Sequence, residues 1–303
     1  MTSPTSRMPA PASGETPAAR SAGPTRPTKP REVEELIDEY LHRPLARVLV
    51  RVLVRTPITP NQVTLISGLL GVTSGVGIAL GAHEPSWRLL GAMLLFLSVV
   101  FDCCDGQLAR ARGISSTTGA ILDGISDYAV GVSVGVGASY FLVTVSGSPW
   151  YWLLGLGGIA SSAAQAALFD HAKTRYIARV SGGYSEREED VGRVADDRRR
   201  AIDAGRYLDA FLLWVYEHYS RAQHATLRIP PVSDPIAYRA AHARRMRLWT
   251  FLGIGTHFAL AYLLMAATYW SVWAAAAYFI ICLTLLNALL LVLMSIEASR
   301  GSE

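Results

Sequence analysis

The chain has 303 residues, 51% of them hydrophobic and 17% charged, against about 25% charged in an ordinary soluble domain. Mean hydropathy is +0.27, which argues against one soluble core and for several segments in lipid. The net charge of +4 gives no reason to invoke nucleic acid, because arginines flanking membrane spans on one side produce the same total.

Residues 1–30 are rich in Pro, Ser, Thr and Ala and hold no apolar run. Such a segment buries too little surface to offset its ordering entropy, so it reads as a disordered tail. It also lacks the apolar core of a signal peptide. Residues 31–58 read as helical with an interruption at Pro44, and Arg47, Arg51 and Arg55 recur at i, i+4 and i+8 among Leu45, Val48, Leu49, Val52 and Leu53. That pattern suits an amphipathic helix on the surface of an anionic leaflet.

Six apolar segments of spanning length follow, at about 60–82, 87–112, 117–145, 149–173, 247–268 and 270–296; about 20 residues are needed to cross. Residues 59–173 therefore hold spans one to four and residues 247–303 hold spans five and six. Thr59 as N-cap, Pro60 at N1 and Gln62 at N3 give the first span a capping box. The turns at 83–86, 147–149 and 268–271 carry no Lys or Arg, whereas the N-terminal region, the turn at 110–115 and the stretch 174–246 carry nearly all the arginines. The positive-inside rule puts both termini, that turn and the 174–246 insertion in the cytoplasm, and Trp87, Trp150, Trp152, Trp270 and Trp273 form an aromatic belt at the other face. The expected fold is an all-α integral membrane protein: six transmembrane helices, an N-terminal interfacial helix and a cytoplasmic helical insertion. The insertion breaks at Pro230-Pro231, its charged run from Glu186 to Arg200 reads as a solvated face, and it suits a small subdomain or a substrate cap. Cys103 and Cys104, adjacent in the second span, and the distant Cys282 make neither a disulfide framework nor a zinc pattern; the pair reads as small apolar filler.

The chemistry concentrates between Asp102 and Asp127, in DCCDGQLARARGISSTTGAILDGISD. Asp102 and Asp105 are i, i+3 and Asp123 and Asp127 are i, i+4, so each pair shares a helix face. The short turn between spans two and three makes these helices antiparallel neighbours, and their acidic faces converge just inside the bilayer. Intramembrane acids are costly and functional. The simplest compensation is one or two divalent cations, and oxygen-only ligands favour Mg²⁺ or Mn²⁺ over zinc. Gly106, Ala109 and Gly119 lack bulk where a nucleotide would approach the backbone, and Arg110 offers a planar fork to phosphate. Lys173, Arg175 and Arg179 after the fourth span and Arg244, Arg245 and Arg247 before the fifth are candidates for an anionic acceptor or headgroup, or plain positive-inside anchors. His257 lies inside the fifth span as a pathway group or an interhelical hydrogen-bond partner.

The pattern Asp102-x-x-Asp105-Gly106-x-x-Ala109-Arg110-(eight residues)-Gly119-x-x-x-Asp123-x-x-x-Asp127 resembles the complete signature of the CDP-alcohol phosphotransferase family. The resemblance extends over the six spans, including Thr59-Pro60-Asn61-Gln62-Val63-Thr64 at the start of the first. It does not cover the tail, and the 174–246 insertion is longer than a minimal member needs. The resemblance implies that Asp102, Asp105 and Asp123 hold metal and that Asp127 is both metal ligand and general base. It implies that Gly106, Ala109, Arg110 and Gly119 border the cytidine diphosphate, with Asn61 and Thr64 touching the nucleotide. The implied reaction transfers a substituted phosphate from a CDP-alcohol, such as CDP-diacylglycerol, to a hydroxyl acceptor in the plasma membrane, releasing CMP in phospholipid synthesis. A CDP-inositol donor is the alternative. A homodimer is also implied, with Gly131 and Gly135 as a close-packing ridge. Two other readings fit less well. An intramembrane prenyltransferase places its aspartate pairs in two distant loops, and a transporter calls for broken repeats with midplane polar groups.

Overall fold

The computed structural model describes residues 30–114, 117–181, 185–207, 209–211, 213–214, 217 and 232–300. The expected disordered tail, apart from Pro30, and the Pro230-Pro231 break lie outside them. Among the described residues every regular element is helical. They are α1 (Arg43–Leu53), α2 (Pro60–Leu80), α3 (Ser86–Ala111), α4 (Thr117–Ser146), α5 (Trp150–Val180), α6 (Ser185–Asp203), α7 (Pro235–Trp249), α8 (Ile254–Ala267), α9 (Ala274–Leu283) and α10 (Leu285–Arg300). Among the described residues five stretches are long and apolar enough to cross a membrane: α2, α3, α4 from Ile121, α5, and α9 with α10. A sixth is the pair α7 and α8, bent by 46°.

The first span starts as its sequence dictates. Thr59 Oγ1 accepts from Gln62 N–H at 3.3 Å and Gln62 Oε1 accepts from Thr59 N–H at 2.9 Å, which satisfies two otherwise orphaned amides. α2 then lies against both α3 and α4. Backbones meet because side chains are small: a Cβ on Gly137 would fall 2.1 Å from the carbonyl oxygen of Gly75. Serines lace the seam, with Ser67 and Ser98 hydroxyls each donating to the other's carbonyl at 3.0 and 2.9 Å. Close backbones and reciprocal hydroxyl bonds are how helices associate where lipid removes the hydrophobic drive.

Three expectations about helix continuity need correction. The chain does not break at Pro44. Residues Asp38–His42 widen into a π turn, with Arg43 N–H donating to Asp38 C=O, and α1 continues from it with Pro44 in its first turn. The wider turn removes the clash between a proline ring and the carbonyl four residues back. The helix leading into the fifth span starts earlier than 247, at Pro235, and bends at Gly253, whose backbone is extended (φ −77°, ψ 158°). Glu35 fills the bend, accepting from Gly255 N–H at 3.3 Å and from Thr256 N–H and Oγ1 at 2.6 and 2.8 Å. A Cβ on Gly253 would sit 2.2 Å from the Glu35 carboxyl carbon. The sixth span is interrupted at Thr284.

Arg88, the third residue of α3, is a basic group at the end opposite the aspartates; its Nε donates to Gly81 C=O at 2.8 Å and Nη1 to Thr268 C=O at 3.3 Å. The ridge of Gly131 and Gly135 faces inward instead of towards a second copy. Gly135 packs on Ile159 and Gly131 on Phe258 of the same chain. Cys104 is buried with Ala46, Val50, Val63 and Leu108, as filler between α1, α2 and α3.

Candidate active site

α3 ends in a tight turn at Gly113, whose φ of 65° is left-handed and costs glycine little. Ile114 N–H reaches back to Ala109 C=O at 2.9 Å, and α4 starts at Thr117. This reversal sets the two acidic helix faces opposite each other. Carboxylate oxygens of Asp102, Asp105 and Asp123 all lie within 4.8 Å of one another. Asp127 stands one turn further along α4, outside that group, and lines an apolar cavity of about 50 Å³ with Gly131, Ile159, His257 and Phe258.

Three carboxylates this close repel by about 3 kcal/mol per ionised pair at an effective dielectric of ~20. Two local devices orient Asp105: the Thr64 hydroxyl donates to one oxygen and the Gly106 N–H to the other. Asp102 Oδ1 is buried with no hydrogen-bond partner. An all-oxygen donor set with a buried orphan acceptor fits a hard divalent cation.

The sequence-selected nucleotide residues fall into two groups. Gly106 lies against the Arg110 guanidinium, where a Cβ would be 3.3 Å from Nη1, so Arg110 folds back beside Asp105. Ala109 and Gly119 are half-buried, and Asn61 is exposed in the first turn of α2. Thr64, expected at the nucleotide, bonds to Asp105 and to Pro60 C=O at 3.2 Å. Arg112, which sequence reading passed over, donates to the carbonyls of Leu53, Ile58 and Thr56 at 2.9, 2.5 and 2.7 Å. It ties the end of α3 to the α1–α2 link.

The basic candidates also separate. Arg175 pairs with Glu297 at 3.7 Å and lines a cavity of about 190 Å³ with Arg179, Tyr238, His242, Arg245 and Trp249. Arg179 Nε, an Arg245 Nη and Trp249 Nε1 are buried there without hydrogen-bond partners. Arg247 is engaged elsewhere, donating to Glu34 C=O and Glu39 Oε2 at 2.9 Å each. Arg244 is exposed, and Lys173 lies over the Phe169 ring at 5.5 Å. His257 is buried, with Nδ1 2.8 Å from Gly253 C=O and Nε2 2.8 Å from Gln165 Oε1. It braces α8 against α5.

The N-terminal segment adds acids that no spacing rule selected. Glu35 is buried beside the charge of Asp38, and burial first, then that neighbour, pushes its carboxyl up to about 7. Burial would raise Glu32 too, but bonds from Arg239 and Tyr176 outweigh it and hold Glu32 down to about 2. Asp38 in turn bonds His42 Nδ1 at 2.8 Å, and His42 Nε2 lies 3.3 Å from the Tyr262 hydroxyl.

Residues 57–215 match the family described as CDP-alcohol phosphatidyltransferase. The chain is 30% identical over 159 residues to a bifunctional IPC transferase and DIPP synthase of Rubrobacter xylanophilus, covering 51% of this chain and 32% of that one. It is 30% identical over 140 residues to a phosphatidylinositol phosphate synthase of Mycobacteroides abscessus, covering 43% and 57%. Against the phosphatidylinositol phosphate synthase of Corynebacterium glutamicum it is 41% identical over 71 residues, covering 23% and 30%. The matches thus span about a third to just over half of these relatives' lengths. With more than half of its residues matched and its acidic hairpin assembled at a helix turn, the chain belongs to the CDP-alcohol phosphatidyltransferase family.

Proposed function

We propose that this membrane protein transfers a substituted phosphate from a CDP-alcohol to the hydroxyl of a phosphorylated acceptor, releasing CMP. The observation that carries the reading is the convergence of Asp102, Asp105 and Asp123 with Asp127 one turn away. A divalent cation, Mg²⁺ or Mn²⁺, held by those three carboxylates would supply positive charge against the diphosphate. Thr64 and the Gly106 amide hold Asp105 in register. Gly106, Ala109 and Gly119 leave the backbone open to the cytidine diphosphate, Arg110 takes a phosphate oxygen, and Asn61 stands at the rim. Asp127 accepts the proton of the acceptor hydroxyl as that oxygen attacks the phosphorus bearing the donated alcohol. Asp127 acts as base; its place outside the close triad gives it the weaker claim as a metal ligand.

The cavity around Arg175, Arg179 and Arg245 supports an anionic acceptor, because three of its lining residues hold buried N–H groups without partners and a phosphate accepts from donors of this kind. A relative named phosphatidylinositol phosphate synthase favours CDP-diacylglycerol as donor and an inositol phosphate as acceptor. The 159-residue match to a DIPP synthase favours the second reading, a CDP-inositol donor. The arginine distribution supports an orientation with both termini, the aspartates and the 174–246 insertion in the cytoplasm, and a plasma-membrane setting belongs to the same proposal. It also supports α1 as an interfacial helix. Homodimerisation belongs to the same proposal, without the Gly131–Gly135 ridge.

The test is purified protein in lipid vesicles with Mg²⁺, offered CDP-diacylglycerol or CDP-inositol with inositol phosphate, glycerol 3-phosphate or serine. CMP release with one phosphorylated acceptor is expected. Release with serine alone would overturn the acceptor assignment, and no release with any pair would overturn the reaction.

A further inference from the structure

The stretch that joins α1 to α2 is gathered by one cation from α3. A helix ends with carbonyls that lack intrahelical partners, and Leu53 closes α1. Arg112, the C-cap of α3, reaches across to this region. Its Nη2 donates to Leu53 C=O at 2.9 Å and to Thr56 C=O at 2.7 Å, and its Nη1 donates to Ile58 C=O at 2.5 Å. A guanidinium is always charged and planar, so it holds carbonyls from three residues in one rigid fork. It also sets positive charge at the negative end of the α1 dipole.

The link is tied within itself as well. Thr56 Oγ1 donates to Leu53 C=O at 2.8 Å and accepts from Ile58 N–H at 3.4 Å, and Thr59 opens α2 with its capping box. Ile58 and Val63 pack with Cys104 and Leu108 of α3. A continuous run of contacts therefore leads from the guanidinium through Ile58 and Thr59 into the first turns of α2. Thr64 lies there, 2% exposed, with its hydroxyl on an oxygen of Asp105. Of the two groups that orient Asp105, the Gly106 amide belongs to α3 and moves with it. Thr64 belongs to α2, and it meets Asp105 only while the end of α2 keeps its rotation and height against α3. Ser67 and Ser98 lock that seam further along both helices; the end of α2 depends on the link.

We propose that Arg112 is a positioning residue for the acidic centre: by clasping the α1–α2 link it sets the first turns of α2, so that Thr64 holds Asp105 in the orientation a divalent cation needs. The proposal rests on the reading of Asp105 as a metal ligand, and it gives Arg112 no contact with metal or substrate. Ligating carboxylates depend on such outer partners, whose loss weakens metal binding by about 10–100-fold.

The full-length protein in vesicles tests this by direct Mg²⁺ titration, with Tm followed in parallel. Arg112→Lys keeps the charge and loses the fork, and Thr64→Val keeps the shape and loses the hydroxyl. Thr64→Val is expected to weaken Mg²⁺ binding about tenfold, and Arg112→Lys by a smaller factor. The double variant should bind no more weakly than Thr64→Val alone, because Arg112 acts through Thr64. Thr56→Val, which loosens the same link and leaves Arg112 in place, is the gentler companion and should show the same dependence on Thr64. Losses that multiply in the double variants would overturn the proposal. So would a lower Tm with unchanged Mg²⁺ affinity in Arg112→Lys and Thr56→Val, which would make the clasp structural only. A wild-type protein that binds neither Mg²⁺ nor Mn²⁺ would overturn the metal reading and the proposal with it, a result distinct from both of these. The titration needs no turnover, so it reads the clasp whether or not CMP is released.

Discussion

The acidic centre and the basic cavity are built in opposite ways. The centre comes from one hairpin: two helices, a turn at Gly113 and 26 consecutive residues from Asp102 to Asp127. The cavity draws Arg175 and Arg179 from α5, Arg245 and Trp249 from α7 and Glu297 from α10, elements scattered over 123 residues. The first presents a surplus of acceptors and the second a surplus of donors. Helix periodicity alone predicts that i, i+3 and i, i+4 acids share a face. No local rule predicts which of six basic residues near the span ends turn into one cavity.

That contrast can be broken or sharpened by substitution. Asp105→Asn is expected to cost about 10³-fold in CMP release, the scale of losing a preorganised electrostatic group, and wild-type turnover in this variant would sink the acidic centre. Asp127→Asn is expected to cost about 10²-fold in kcat. Its affinity for Mg²⁺ in a direct binding titration should hardly change if Asp127 serves as base, and should fall as far as that of Asp105→Asn if it is a ligand. Arg245→Ala should raise the KM for the phosphorylated acceptor about tenfold, the worth of one charge-assisted hydrogen bond, with kcat little changed. Arg244→Ala, at an exposed neighbour, should leave both constants alone. Equal effects at the two positions would mean general surface charge and not the cavity.

Smaller effects are expected at the bend between α7 and α8. Gly253→Ala pushes a methyl into the Glu35 carboxyl and should cost about 1–3 kcal/mol, read as a lower Tm in detergent. The pH dependence there follows from burial. The Glu35 carboxyl titrates near 7 in the folded chain, above its ordinary value, so the folded state holds the extra proton in between. Its contribution to stability is complete below the ordinary carboxylate range and is lost as pH rises through about 7. Glu35→Gln should flatten that part of the Tm–pH curve between pH 5 and 8; an unchanged slope would assign the dependence to other groups.

Much of the fold was legible because lipid simplifies the code. Span lengths, the Thr59 capping box and the separation of tryptophans from arginines are one-dimensional signals. What sequence misjudged was continuity. Pro44 reads as a break, yet a π turn absorbs it. The fifth span reads as straight, yet Glu35, 218 residues upstream of Gly253, caps an open bend. Arg247 reads as available for an anion, yet Glu39 and the Glu34 carbonyl hold it. In the last two cases the deciding partner lies far away along the chain.

The sequence by itself determined the membrane spans and the acidic hairpin, because lipid permits only self-satisfied helices and helical spacing fixes which acids share a face. Only the tertiary structure decided which arginines converge, where Glu35 goes and that Arg112 clasps the α1–α2 link. Those contacts join elements whose relative rotation no local pattern encodes, and they form only when distant polar groups must find partners in a medium without water.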